Sequence, residues 1–291
     1  MKILVALDGS DAAFNALRSA CRIAKKTESY ITVFYVNKGE EYSPEETGWT
    51  SIKERISREL ETSGQEVMHK AYEIGKKFDL PIEGIISEGV PTSEILRYAN
   101  AHGIIKLIAM GHSSKGRGVQ EFVESTTKNV VAQSTNTPVF VTSSEIDIRS
   151  ILIAVDESEV SQKATAFGGG LAKSLGAELG VVSFVPDAEA LINEYRLIAE
   201  VPNIEKHIEV SEKNIQEMID RAIHAAQKTL DSIDMRASSI VKRGRSDDII
   251  SEAKNYDLLI AGVKGDPLRK KINRTANKLL DSHETNIIFV Q

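Results

Sequence analysis

At 291 residues the chain is long for one compact domain and comfortable for two of about 145, each large enough to bury its own core. Hydrophobic content of 41%, charged content of 27% and only 7 prolines exclude a disordered chain, because enough apolar surface is present to offset the entropy of ordering. A net charge of −6 excludes a general nucleic-acid surface, which needs a concentrated basic footprint, and leaves room only for a local anion site.

The first predicted element is a strand over 2–7. This run is too short for a signal-peptide core, and no apolar stretch approaches the roughly 20 residues that span a bilayer, so a cytosolic chain without membrane contact is expected. A helix follows over 10–26, with Phe14, Leu17, Cys21 and Ala24 in step at helical spacing. Cys21 is the single cysteine, so no internal disulfide forms and a core role in a reducing compartment is expected. A strand over 30–36 precedes an insertion, 37–50, that holds the only tryptophan, Trp49. Trp49 is read as packing over a helix end, with an interaction anchor as the alternative. Next come a long helix over 51–78, a strand over 82–87, a helix over 92–102, a strand over 105–110, a helix over 121–133 and a strand over 137–142. The junction, residues 143–150, is too short for a floppy linker, so the flanking halves are expected to touch.

The second half repeats the first. Lys2-Ile-Leu-Val-Ala-Leu-Asp-Gly-Ser10 returns 148 residues later as Ser150-Ile-Leu-Ile-Ala-Val-Asp-Glu-Ser158. Glu88-Gly-Val-Pro-Thr-Ser-Glu-Ile-Leu96 answers to Arg243-Gly-Arg-Ser-Asp-Asp-Ile-Ile250, Lys106–Gly111 to Asp257–Gly262, and Pro138–Val141 to Ile287–Val290. Strands are predicted near 150–155, 178–184, 236–242, 257–262 and 286–290, with a long helix over 204–233 and a further helical piece over 186–198. Short runs rich in Val and Ile alternating with helices predict an α/β fold: two tandem, doubly wound, Rossmann-like domains, 1–146 and 147–291, each a five-stranded parallel sheet of order 3-2-1-4-5.

In such a sheet, ligands sit at the carboxyl ends of the strands where the winding reverses, here between the first and fourth strands. Asp8-Gly9-Ser10 and Asp156-Glu157-Ser158 follow the first strands. An acid there can accept from an adenine amino group or a ribose hydroxyl, and the competing role is a helix cap. Gly111-His-Ser-Ser-Lys-Gly-Arg-Gly118 follows the fourth strand, with Ser125 and Thr126 entering a helix, and Gly262-Val-Lys-Gly265 stands in the second half with Thr275 beyond it. Glycines and small hydroxyls let backbone N–H groups close around phosphate oxygens, helped by a helix N-terminus. Neither loop is a G-x-x-x-x-G-K-[ST] phosphate loop. The six histidines are scattered with no H-x-x-x-H pair, so no metal site is expected.

The strand-Asp-Gly-Ser start, the Gly89-Val-Pro91 turn, the strand ending Ala109-Met-Gly111 and the closing Thr137-Pro-Val-Phe-Val141, taken in order and repeated, resemble the universal stress protein family, whose fold is adenine nucleotide alpha hydrolase-like. The resemblance implies AMP or ATP, with Mg²⁺ accompanying ATP, held in the first copy by Asp8, Val36, Met110, Gly111, His112, Ser114, Lys115, Gly118, Ser125 and Thr126. In the second copy it implies Asp156, Gly262, Lys264, Gly265 and Thr275. The family's G-x2-G-x9-G-[ST] motif is incomplete in both. Ser114 and Glu124 stand at its second and third glycines in the first copy, and Thr275 and Ala276 at its third glycine and hydroxyl in the second. A carboxylate about 5 Å from a phosphate charge costs roughly 3 kcal/mol per charge at an effective dielectric near 20, about a hundredfold in affinity. Glu124 therefore penalises a triphosphate more than AMP, unless it points away or Lys115 and Arg117 neutralise it.

These readings predict a stress-response regulatory protein that binds adenine nucleotide, has weak ATP hydrolysis at most, and addresses a protein partner still unknown. The alternative is a nucleotide-independent interaction module. The family's habit of pairing last strands implies an intramolecular pairing of the two domains or a homodimer. Enzymes of the wider fold normally carry S-G-G-x-D-S or H-x-G-H-type loops, to which Asp8-Gly9-Ser10 is the nearest approach.

Overall fold

The structure is a computed structural model that describes residues 1–37, 50–112, 126–185, 204–243, 247–263, 274–282 and 285–291. The chain divides into two compact units, the first Met1–Asp147 and the second starting at Ile148.

In the first unit the elements run β1 (Lys2–Leu7), α1 (Asp11–Thr27), β2 (Tyr30–Asn37), α2 (Thr50–Lys77), β3 (Ile82–Glu88), α3 (Pro91–Ala101), β4 (Ile105–Gly111), α4 (Thr126–Gln133) and β5 (Val139–Thr142). Its strands lie in the order β3-β2-β1-β4-β5, and each pairing is parallel. β1 and β4 are buried almost along their whole length because helices cover both faces, which is why they read as unbroken apolar runs. One face is taken by α1 and α2 and the other by α3 and α4. A side chain at Gly84 would meet Tyr72 and Met68 of α2, while Phe34, one residue out of phase on neighbouring β2, stacks against Tyr98 of α3 at 5.0 Å. After β5 the chain is strapped along α1. Asn15 Nδ2 donates to the Ser143 carbonyl at 3.1 Å, Ile146 N–H to Ser19 Oγ at 3.0 Å, and Arg22 and Lys26 pair with Glu145 and Asp147.

The second unit repeats the plan with β6 (Ser150–Ala154), α5 (Glu159–Leu175), β7 (Glu178–Val185), α6 (Ile204–Asp231), β8 (Ser238–Arg243), α7 (Asp247–Ala253), β9 (Leu258–Gly262), α8 (Arg274–Asp281) and β10 (Ile287–Val290). Its order is β8-β7-β6-β9-β10, again parallel. The switch point thus falls between β1 and β4 and between β6 and β9.

Several element ends depart from the sequence reading for local reasons. α1 starts at Asp11 because Ser10 is its cap, Oγ accepting the Ala13 N–H at 3.2 Å. α3 starts one residue early, at Pro91, a residue preorganised for the first helical position. β5 starts at Val139, two residues late: Pro138 has no N–H to give to a ladder, and the Thr137 carbonyl is engaged by Ser134 Oγ at 2.6 Å. β8 lies at Ser238–Arg243, two residues beyond the expected start. Trp49, residues 121–125 and the helical piece expected over 186–198 lie outside the described residues. Cys21 is fully buried, and burial beside Glu145 pushes its thiol up to about 12, so the core role holds and a thiolate is scarce at neutral pH.

Candidate functional site

The carboxyl edge of the first unit is built where β1 and β4 end side by side, Ala6 level with Met110. Beyond Leu7 the chain turns sharply into α1, with Gly9 at φ +84. Asp8 is exposed at this turn, and its Oδ1 accepts the Ser10 N–H at 2.9 Å. Capping of the helix falls to Ser10, so Asp8 is not consumed as a cap, and its Oδ2 takes no hydrogen bond from the described residues. An exposed carboxylate oxygen at the strand end can accept from an amino group or a hydroxyl of a ligand.

The second unit repeats the turn with more ties. Asp156 Oδ1 accepts the Ser158 N–H at 2.9 Å and also the Ser158 hydroxyl, while Ser158 Oγ caps α5 by accepting the Ser161 N–H at 3.2 Å. Ser161 Oγ accepts the Asp156 N–H at 2.9 Å. Glu157, standing where the first unit has Gly9, pairs with Arg221 of α6, and this hydrogen bond raises the Arg221 guanidinium further above its ordinary value. Sequence reading found Asp156 but missed Ser161 and Arg221. Ser161 carried a faint signal as a second serine in the first turn of the helix, whereas Arg221 lies 64 residues from its partner and carried none.

The leading glycines have a packing role of their own. A Cβ at Gly111 would fall 2.5 Å from the Ala12 carbonyl carbon and nearer still to Ala13 N, because the start of α1 lies directly on the end of β4. At Gly262 the corresponding backbone atoms of Val160 and Ser161 lie at 3.0 and 3.1 Å. The Gly111 carbonyl accepts from Thr127 Oγ1 at 3.2 Å, a contact sequence reading missed in favour of Thr126, the first residue of α4. Met110 is buried at the end of β4. His112 N–H donates to the Thr142 carbonyl at 2.9 Å, and Val263 N–H likewise to Val290 at 2.7 Å. Those two amides extend the sheet and are not donors to a phosphate. Val36 lies at the end of β2, level with Ser87. Thr275 is in the first turn of α8. Ser114, Lys115, Gly118, Glu124, Ser125, Lys264 and Gly265 lie outside the described residues. The structure therefore brings Asp8 together with Met110, Gly111 and His112 at one edge, and Asp156 with Gly262 at the other.

Among the described residues no three His, Cys, Asp or Glu side chains are grouped to hold a metal ion, and no helix is long and apolar enough to cross a membrane.

Two curated proteins are similar to half of the chain each. Universal stress protein YxiE of Bacillus subtilis is 29% identical over 146 residues, 48% of this chain and 97% of its own length. Universal stress protein MJ0531 of Methanocaldococcus jannaschii is 30% identical over 142 residues, 48% of this chain and 80% of its own length. A crystal structure of a universal stress protein from Archaeoglobus fulgidus matches 99% of this chain and 97% of its own with a TM-score of 0.67 at 15% identity, a likeness of fold alone. The universal stress protein family is matched twice, over residues 1–143 and over 147–290, and the chain belongs to that family as a tandem member.

Proposed function

We propose that this chain is a regulatory protein without substantial catalysis that binds an adenine nucleotide, AMP or ATP, at the carboxyl edge of its first repeat, and that occupancy biases the surface offered to a partner protein. The observation that carries this reading is the exposed Asp8 carboxylate at the end of β1, excused from capping by Ser10 and standing beside the end of β4. Asp8 would receive the adenine amino group or a ribose hydroxyl, and the backbone about Val36 and Met110 would frame the base. Ser114, Lys115, Gly118, Ser125 and Thr126 would receive the phosphates. The acid at Glu124 favours AMP over ATP, and Mg²⁺ would matter only with the triphosphate.

A second reading, a nucleotide-independent interaction module, is favoured for the second repeat. There Asp156 is engaged by Ser158 twice and its turn is tied down by Ser161 and by the Glu157–Arg221 pair. A ligand would have to compete with those bonds.

Melting of the full chain with AMP, ADP and ATP, each with and without Mg²⁺, tests both readings. A nucleotide at 100 times its dissociation constant adds about 2.7 kcal/mol of stability. The expected result is a shift with AMP at least as large as with ATP, lost in Asp8→Ala and kept in Asp156→Ala. No shift at millimolar nucleotide would leave the interaction module as the standing reading.

A further inference from the structure

At the carboxyl edge of the first unit β2 ends in Asn37. Tyr35 is level with Leu7 of β1, so Val36 and Asn37 run out beside Asp8 and Gly9. We propose, resting on the adenine-nucleotide reading of this edge, that the Asn37 carboxamide binds the 6-amino group of the purine and so selects adenine as the base.

Asn37 is 6% exposed, and its Oδ1 is enclosed without a hydrogen-bond partner. Among the described residues it is the one side chain buried to this degree that leaves a polar atom unpaired. Other buried hydroxyls of the unit find partners nearby: Thr32 donates to Glu83 at 2.9 Å, Thr127 to the Gly111 carbonyl at 3.2 Å and Ser134 to the Thr137 carbonyl at 2.6 Å. An enclosed acceptor with no partner costs stability, so its presence points to a partner that the folded chain does not itself provide. The local backbone has no need of the amide. The Asn37 carbonyl accepts the Gly89 N–H at 3.0 Å, and the residue lies in the ladder level with Glu88. No hydrogen bond from the described residues restrains the carboxamide, so it is free to turn about its side-chain bonds toward a ligand at the strand end. A carboxamide donates and accepts at once, which matches the adjacent amino group and ring nitrogen of adenine.

The second repeat supplies an independent observation. At the 148-residue offset, 37 to 185 and 9 to 157, Val185 ends β7 where Asn37 ends β2, and Glu157 stands where Gly9 does. Valine at this place shows that the fold itself does not call for an amide. The two exchanges also go together. The repeat whose turn carries the Glu157–Arg221 pair has no acceptor at the strand end, while the repeat whose turn has a bare glycine keeps one. With the amino group on Asn37, Asp8 is left to a ribose hydroxyl.

Melting of the full chain and of Asn37→Val, each in buffer and across titrations with AMP and with purine riboside 5′-monophosphate, tests the assignment. The second ligand differs from AMP only in lacking the 6-amino group. The unaltered chain should bind AMP roughly tenfold more tightly, the effect of one hydrogen bond to a buried acceptor. Asn37→Val should bind the two ligands alike, with AMP fallen to the level of the analogue. Without ligand, Asn37→Val should melt a few degrees higher, because the unpaired acceptor is gone. If it melts lower, the carboxamide has a structural partner such as an enclosed water, and the assignment is overturned. Equal binding of the two ligands by the unaltered chain, or a tenfold preference kept by Asn37→Val, overturns it as well and leaves the adenine-nucleotide reading standing. No shift with either ligand at millimolar concentration removes both.

Discussion

Beneath the first helix of each repeat the same space is filled with different residues. In the second repeat Gly168 of α5 lies over Ile153 and Ile260, which are cross-strand partners, and a methyl at Gly168 would stand 2.7 and 3.0 Å from their Cδ1 atoms. The corresponding residues of the first repeat are Ala20, Val5 and Ala109, all fully buried, with Val5 again paired to Ala109. The neighbouring position shows the same exchange. Gly169 leaves room for Leu230, whose Cδ2 would be 2.5 Å from a Cβ there, while the first repeat has Cys21 and Gly75 at the two places. What duplication preserved here is volume, because a core at crystal-like density registers a single methylene whichever side of the interface supplies it.

The site glycines do not share this tolerance equally, and they give the largest expected effect. Gly111→Ala sets a methyl against the backbone of α1, which has no rotamer to escape through, so a loss of about 3 kcal/mol or more is expected in urea unfolding. Gly262→Ala meets backbone at 3.0 Å, which a few tenths of an ångström relieve, and should cost about 1 kcal/mol. Equal losses would break the asymmetry between the two edges.

An intermediate effect tests the exchange of volume directly. Gly168→Ala presses on side-chain tips, so a loss of about 1–2 kcal/mol is expected. Adding Ile153→Val should recover part of that loss, where independent sites would only add theirs. A strictly additive pair would mean that the helix moves as a body and that the exchange is accidental.

How much of this was legible depends on the range of the interaction that decides it. Strands such as Ile105–Gly111 declared themselves because burial on both faces writes an apolar run into consecutive residues. The Asp8 and Asp156 turns declared themselves because strand, acid and serine are contiguous. The Ser161 and Arg221 ties around Asp156 did not, since nothing in a serine or an arginine names a partner in another element. Nor did the collision that makes Gly111 obligatory, which needs the start of α1 and the end of β4 in one place. Pro138 misled by position: its apolar neighbours read as strand, while its missing N–H delays β5 to Val139.

A smaller effect compares the caps. Ser10→Ala and Ser158→Ala each remove an N-cap, typically about 1 kcal/mol. Ser158 also donates to Asp156, so its loss should cost up to about 1 kcal/mol more and loosen the second turn. If Ser10→Ala proves the costlier change, the second turn is not the tighter one, and Asp156 is no less available to a ligand than Asp8.

The smallest effect is the exchange at the end of the first helix, Glu28 at φ 50 against Gly176 at φ 66. A side chain in left-handed backbone costs roughly 1–2 kcal/mol, while glycine gives back up to about 1 kcal/mol through the greater freedom of its unfolded chain. The difference is a few tenths to about 1 kcal/mol, so Glu28→Gly should raise stability and Gly176→Glu lower it by a similar amount. The first repeat therefore carries at this cap a residue that its own backbone would rather exchange, and urea unfolding of the two variants reads the exchange. Equal stability of Glu28→Gly and the unaltered chain would mean that the left-handed backbone at Glu28 carries no strain, and that the two caps differ in sequence without differing in energy.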